Sequence, residues 1–365
     1  MSAIETCPAA AAVLERGSAA SVFSGAQAAW ARGDRLGNAC VGTTRAAGDT
    51  VIDPVTLFDI ASLTKIFTAS AALRLIARDD IALAARLDEL IPSLLGKRQG
   101  RATVEQLLAH EAGFADWAPL FQKIQAEIRG TRRAAGQLFD LALEVPAHGE
   151  PGVAAVYSDL GFIVLARMLE LVTGDSLEGI IAREVTGPLG LDSVSYRSTR
   201  PSSRSEQSRA NDINIAATED CPWRGGVLKG EVHDDNAWAM GGVAGHAGLF
   251  ATAGDVAQLG VAWLKALDDG DWLPSELAQL AVARRPFGRG LGWDLKSEEG
   301  SSAGALMGSR TFGHLGFTGC SLWVDPDREL SVTLLTNRVH PSRHNEGIKT
   351  LRPVFHDALV GALDG

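Results

Sequence analysis

Strand-like segments lie at both ends of this chain and helical periodicity fills its middle, an order that restricts the fold more than any single residue does. Between residues 21 and 60, short apolar stretches break at Arg32-Gly33-Asp34, which predicts two strands joined by a turn. Near the other end, residues 321–325 and 330–336 are separated by Pro326-Asp327 and read as a hairpin, with an amphipathic helix over 353–363 behind it. In the middle, Ile66, Ala69, Leu73 and Ala77 recur at helical spacing until Asp79-Asp80. Thr103-Val104-Glu105-Gln106 has the form of a capping box opening a helix that reaches Ala109, with Gly113 beyond its end, and 160–172 is a further helix stopped by Gly174. Residues 198–211, rich in Ser and Arg, read as a surface loop. This order predicts an α+β protein. Residues 1–60 and 240–365 would build an antiparallel sheet domain with flanking helices, and 61–239 an inserted, mainly helical domain, with the site where the two meet.

Composition narrows the partners. The 365 residues are 46% hydrophobic and 21% charged, an ordinary globular balance. A net charge of −10 with scattered Lys and Arg argues against a nucleic-acid partner. Cys7, Cys40, Cys221 and Cys320 form no C-x-x-C pair, so neither a zinc site nor a disulfide framework is suggested. No apolar run reaches the length of a membrane span, and no basic residue precedes the short apolar stretch at 9–14. The expectation is a cytoplasmic protein without a membrane partner, or a periplasmic or secreted one if a leader has been removed.

Chemistry concentrates at Ser62-Leu63-Thr64-Lys65. A serine hydroxyl is a poor nucleophile until a neighbouring base takes its proton, and one helical turn puts serine and lysine on the same face. A helix N-terminus at Ser62 would also favour negative charge developing beside it.

Two further segments, Tyr157-Ser158-Asp159 and His314-Leu315-Gly316, complete a set. Together with Ser62 and Lys65 they resemble the serine β-lactamase and penicillin-binding-protein family, in the branch of class C β-lactamases, D-stereospecific peptidases and esterases. Similarity extends from Thr56–Ala61 through Leu107–Gly113 to Pro188–Leu191 and Leu249–Thr252. The resemblance implies a β-lactamase/transpeptidase-like fold, an acyl-enzyme on Ser62, and proton transfer shared by Lys65 and Tyr157, whose pKa Lys65 and a protonated His314 would lower. It implies an oxyanion hole from the N–H groups of Ser62 and Phe317, with Asp159, His314 and Gly316 lining the substrate site. No cofactor or metal is called for.

Two of the motifs depart from the family pattern. Asp159 stands where asparagine is common, and it either holds Lys65 charged or caps the helix beginning at Leu160. His314-Leu315 replaces a lysine and a hydroxyl residue. That hydroxyl helps bind the carboxylate of β-lactams and D-Ala-D-Ala termini, so its absence favours esters or amides without one, unless Arg338 or Arg343 binds the acid. The expected function is therefore a carboxylesterase or amidase acting on a small-molecule acyl substrate. Its alternatives are a D,D-carboxypeptidase or class C-like β-lactamase, and a penicillin-binding receptor without turnover.

Three rival signals are weaker. Gly300-Ser301-Ser302-Ala303-Gly304 matches a nucleophile elbow, but polar residues precede it where a buried strand is needed. His233-Asp234-Asp235 and His246 carry metal-ligand types without a metal-binding helical pattern; residues 231–236 read instead as a pocket loop walled by Trp223 and Trp238. His110 reads as a structural turn, with Trp117 soon after it facing the cleft.

Overall fold

The structure, a computed structural model, describes residues 4–48, 50–197, 199, 214–268 and 270–365. Apart from Thr199, the stretch expected to be a surface loop at 198–211 lies outside them. The strands are β1 (Ile4–Glu5), β2 (Gly25–Arg32), β3 (Arg35–Gly42), β4 (Phe58–Asp59), β5 (Ser195–Tyr196), β6 (Asp220–Cys221), β7 (Gly226–Val227), β8 (Leu249–Ala251), β9 (Asp294–Leu295), β10 (Phe312–Leu315), β11 (Ser321–Asp325) and β12 (Leu330–Thr336). The helices used below are α1 (Pro8–Ala19), α2 (Thr64–Ala77), α3 (Val104–Leu108), α4 (Arg132–Glu144), α5 (Asp159–Thr173), α6 (Asp235–Ala239), α7 (Ala253–Asp268) and α8 (Ile348–Asp364).

Seven strands form one sheet in the order β1-β3-β2-β12-β11-β10-β9, drawn from residues 4–42 and 294–336. Both chain ends thus contribute, as the order of elements predicts. The short edge strand β1 runs parallel to β3, and the other pairs are antiparallel. The central pair β2 and β12 is in register from Ala26 opposite Thr336 to Arg32 opposite Leu330.

Alternation along these strands feeds two cores. Ala28, Trp30, Val332 and Leu334 face a layer containing α1 and α8, whereas Ala29, Leu322, Val324 and Leu335 join the larger core under α7. That larger core continues without a break into α2, α4 and α5. Alanines dominate β2, so helices approach it closely from both sides.

Local signals explain most element ends. Thr103 accepts the Gln106 N–H at 3.2 Å while the Gln106 side chain accepts the Thr103 N–H at 3.0 Å, a reciprocal cap on α3. Gly174, at φ +71°, ends α5. One expectation needs correcting: α8 starts at Ile348 and contains Pro353, rather than beginning there. Proline in a helix interior costs a backbone hydrogen bond. Burial of Ile348, Phe355, Leu359 and Val360 against the sheet offsets that loss.

Candidate active site

Ser62 lies in a single 3-10 turn (Ala61–Leu63) that leads directly into α2. The residue before it, Ala61, has φ +46°, a left-handed conformation that costs a non-glycine residue roughly 1–2 kcal/mol and is held here by its surroundings. β4 carries the chain into this turn, and Gly316 packs against it so closely that a Cβ there would sit 2.6 Å from the Ile60 carbonyl oxygen. Glycine in the third motif is therefore a steric requirement.

Lys65 is fully buried beneath Ser62. Its Nζ donates to Ser62 Oγ at 3.0 Å, to Asp159 Oδ1 at 2.6 Å and to the His246 carbonyl at 3.2 Å. Three acceptors match the three N–H groups of an ammonium. Burial alone would drive Lys65 toward neutrality, but the Asp159 carboxylate and the Tyr157 hydroxyl outweigh it and raise its pKa. Loss of one proton would leave two N–H groups for Asp159 and His246 and turn the lone pair toward Ser62. The site can thus store a proton on Lys65 and also receive one there.

Asp159 is the first residue of α5, and Ser158 is its cap, accepting the Gly161 N–H at 2.9 Å. Of the two readings of Asp159, the structure supports the one in which it holds Lys65. Tyr157 packs its ring under the Lys65 ammonium, 4.7 Å from Nζ, and beside the rings of His110 at 4.8 Å and His314 at 5.8 Å. Burial raises the Tyr157 pKa; the Lys65 charge and hydrogen bonds from Lys65 and Ser62 oppose this without reversing it. His314 does not help as expected. It is buried, its Nδ1 contacts the Leu315 carbonyl at 2.8 Å, and its Nε2 has no partner, so burial pulls its pKa down to about 4 and it is neutral at pH 7.

Ser62, Tyr157, Asp159, His314, Leu315, Gly316 and Phe317 line one cleft of about 580 Å³. A larger groove of about 910 Å³ on the α7 side of the sheet is lined by none of Ser62, Lys65 and Tyr157. The N–H groups of Ser62 and Phe317 have no intramolecular acceptor among the described residues, as an oxyanion hole requires. Phe317 is half-exposed, its ring between the His233 ring at 5.7 Å and the Arg338 guanidinium at 4.4 Å.

The remaining candidates sort as follows. His233, Asp234 and Asp235 line the cleft, and so does Trp117, whereas Trp223 and Trp238 do not. Those two tryptophans pack edge to face at 5.5 Å, and the Trp238 indole donates to Glu231. Asp159, Asp234 and His246 offer ligand atoms within 4.8 Å of one another, a possible metal grouping. Yet the Lys65 ammonium occupies Asp159, and His246 Nε2 and the Ala237 N–H occupy Asp234. His110 has a structural part: its Nδ1 accepts the Ser158 N–H at 3.0 Å. Ser302 sits in a turn between bends, with neither the strand nor the helix an elbow needs. Sequence reasoning missed the His246 carbonyl, which carries no residue-type signal, and gave Asp59, described below, no role beyond its place in the similar stretch Thr56–Ala61.

Comparison with known proteins bears on both fold and chemistry. The family model described as Beta-lactamase matches residues 10–353. A protein of Escherichia coli (strain K12) named putative D-alanyl-D-alanine carboxypeptidase is 28% identical over 304 residues, covering 78% of this chain and 70% of its own. Among solved structures, EstCE1, described as a hydrolase with promiscuous acyltransferase activity, superposes with a TM-score of 0.75 at 20% identity, over 97% of this chain and 98% of its own. The octameric penicillin-binding protein homologue from Pyrococcus abyssi gives 0.74 at 18% identity, over 97% and 77%. At such identities the structural matches speak to fold. No helix among the described residues is long and apolar enough to cross a membrane.

Proposed function

Since this chain belongs to the Beta-lactamase family, we propose that it is a serine hydrolase that opens an ester or amide bond through an acyl-enzyme on Ser62, as a carboxylesterase or amidase. The observation that carries the reading is the contact of Ser62 Oγ with Lys65 Nζ at 3.0 Å, in a cleft that also presents Tyr157.

Ser62 Oγ forms a bond to the substrate carbonyl carbon while its proton passes to the Lys65–Tyr157 pair. The carbonyl oxygen becomes an oxyanion facing the N–H groups of Ser62 and Phe317. The tetrahedral centre then collapses, the bond to the leaving alcohol or amine breaks, and the pair returns the proton to that group. Water attacks the acyl carbon in the same way and frees the acid and Ser62. Because both pKa values are raised, the resting pair holds its protons at neutral pH. The two groups titrate as a pair, and the rate rises as the pair loses one proton.

Absence of a hydroxyl at Leu315 supports a substrate without a carboxylate at that position. Arg343 is committed to Glu219 at 2.7 and 2.8 Å, and Arg338 donates to the carbonyls of Phe317, Arg343 and Asn345. D,D-carboxypeptidase activity is the second reading, favoured by the name of the Escherichia coli relative.

The test is to incubate wild type and Ser62→Ala with p-nitrophenyl acetate, a fluorescent penicillin and a D-Ala-D-Ala peptide, following adduct mass and product release together. Ser62-dependent ester turnover without a lasting penicillin adduct is expected. Release of D-alanine would move the assignment to the peptidase, and a stable adduct without turnover to a receptor. Equal behaviour of wild type and Ser62→Ala would sink the scheme.

A further inference from the structure

Asp59 takes no part in the scheme above, yet it is a buried carboxylate three residues before the nucleophile, 2% exposed. No Lys or Arg forms an ion pair with it among the described residues. Its charge is spent on backbone N–H groups instead. Oδ1 accepts the Ala61 N–H at 2.8 Å, and Oδ2 accepts the His233 N–H at 2.6 Å. Its own carbonyl oxygen accepts the Thr318 hydroxyl at 2.7 Å. One residue therefore touches the turn that carries Ser62, the cleft wall at His233, and the turn that carries Phe317.

Each contact bears on an oxyanion donor. Ala61 sits at φ +46°, a conformation a free alanine avoids, and its backbone orients the Ser62 N–H. Anchoring the Ala61 N–H to a carboxylate opposes relaxation of that turn. Thr318 directly follows Phe317, so its hydroxyl fixes the other donor's turn. The His233 ring stacks on the Phe317 ring, so the third contact supports Phe317 from its side chain. Burial pushes the Asp59 carboxyl up, and the His233 and Ala61 N–H groups bring it part of the way back.

We propose that Asp59 is a positioning residue for the oxyanion hole, holding the Ser62 N–H through Ala61 and the Phe317 N–H through Thr318 and His233 at a common point in the cleft. The proposal rests on the acyl-enzyme reading.

The test uses the full chain with Asp59→Asn and Thr318→Val. Asparagine keeps the size of Asp59 but replaces one acceptor oxygen with an NH2 that faces an N–H donor. Valine keeps the shape of Thr318 and removes only its hydroxyl. Four quantities are read, with kcat also followed across pH: kcat and KM for p-nitrophenyl acetate, the second-order rate of Ser62 phosphonylation by a fluorophosphonate, and the melting temperature. Asp59→Asn is expected to lower kcat and the phosphonylation rate about 100-fold, with KM within about threefold and the alkaline limb of the pH–rate profile unmoved. Thr318→Val should lower both rates about tenfold with the same signature. If Asp59→Asn does not fold, Thr318→Val decides alone.

Rates within twofold of wild type in the folded variants would overturn the proposal. So would a loss confined to melting temperature, because a residue that only cements the fold leaves kcat of the folded fraction intact. If wild type is not phosphonylated at Ser62, the acyl-enzyme reading itself fails. If wild type and Asp59→Asn are phosphonylated equally fast, only the role of Asp59 fails.

Discussion

Lys65 and His314 are both buried basic side chains within reach of the same Tyr157 ring, yet they hold opposite charge states. Burial opposes charge on each. Lys65 keeps its proton because Asp159 lies 2.6 Å away and the His246 carbonyl takes another N–H. His314 meets only a neighbouring backbone carbonyl, and the more distant Asp294 does not make up the difference, so it gives its proton up. A buried cation survives where a specific anion compensates it, and nearby positive charge makes its position harder to hold. Histidine in place of the family's lysine in the third motif is thus a loss of charge at neutral pH. Lys65 supplies the positive charge in contact with Ser62, and it shares the Tyr157 ring with the Arg289 guanidinium, 5.0 Å from the ring centroid.

Removing Lys65 breaks the comparison most severely. Lys65→Met should lower kcat/KM for a p-nitrophenyl ester by roughly 10²- to 10⁴-fold, the usual worth of positioned proton transfer. His314→Gln, by contrast, should change it less than tenfold at pH 7 if the neutral imidazole contributes no charge. Comparable losses in the two variants would mean that His314 is protonated in the working enzyme.

Asp159→Asn sharpens the Lys65 half. Asp159 raises the pKa of both Lys65 and Tyr157, so its loss lowers both. The pair then releases its proton at lower pH. The alkaline rise of the pH–rate profile should shift downward, while the plateau falls about tenfold as Lys65 loses a charge-assisted anchor. A limb that stays in place would show that Asp159 does not set the charge on Lys65.

His314 makes its own prediction for stability. Its folded pKa of about 4 lies below the ordinary 6.5, so the neutral form stabilises the fold above pH 6.5 and that contribution is lost as pH falls through about 4. At about pH 4.5 the cost is on the order of 2–3 kcal/mol. Denaturant melts at pH 7 and pH 4.5 should differ less for His314→Gln than for wild type by about this amount. An unchanged difference would place the acid sensitivity elsewhere, with buried His356, lowered to about 3, the next residue to replace.

How much of this was legible follows from the range of each signal. The Thr103 cap, the Gly174 stop and the β11–β12 hairpin depend on residues within a few positions of one another, and they were readable. Ser62 and Lys65 form one local motif, and Tyr157 joins them through similarity to a known pattern. The rest depends on contacts across the chain. β4, β5 and β8, two or three residues each, are too short for alternation, yet their pairing places Asp59. Trp117 reaches the cleft while Trp223 and Trp238 do not, which packing decides and composition cannot. The charge on His314 was misread because burial, and the absence of a carboxylate beside Nε2, are properties of the folded chain.

The mildest test concerns the residue after His314. Leu315 is half-buried, packs against the α1–α8 core and lines the cleft, at the position where the family resemblance implies a carboxylate-binding hydroxyl. Leu315→Thr restores a donor at the cleft end of β10 at the expense of apolar contact, a loss of about 1 kcal/mol in stability. A hydrogen bond to a charged carboxylate is worth about 1.5–3 kcal/mol. Acylation by a penicillin should therefore rise about tenfold, with turnover of a neutral ester changed less than threefold. Such a split would locate the discrimination against acids at this one side chain. If penicillin acylation does not change, the neutral His314 beside it is the stronger barrier, and the double change His314→Lys with Leu315→Thr becomes the comparison to make. In that variant the new lysine would need its own anion to stay charged. Asp294, already paired with Arg289, is the carboxylate whose charge His314 feels most strongly. A gain in the double variant alone would make the charge difference between the two motifs, rather than the missing hydroxyl, the determinant of specificity.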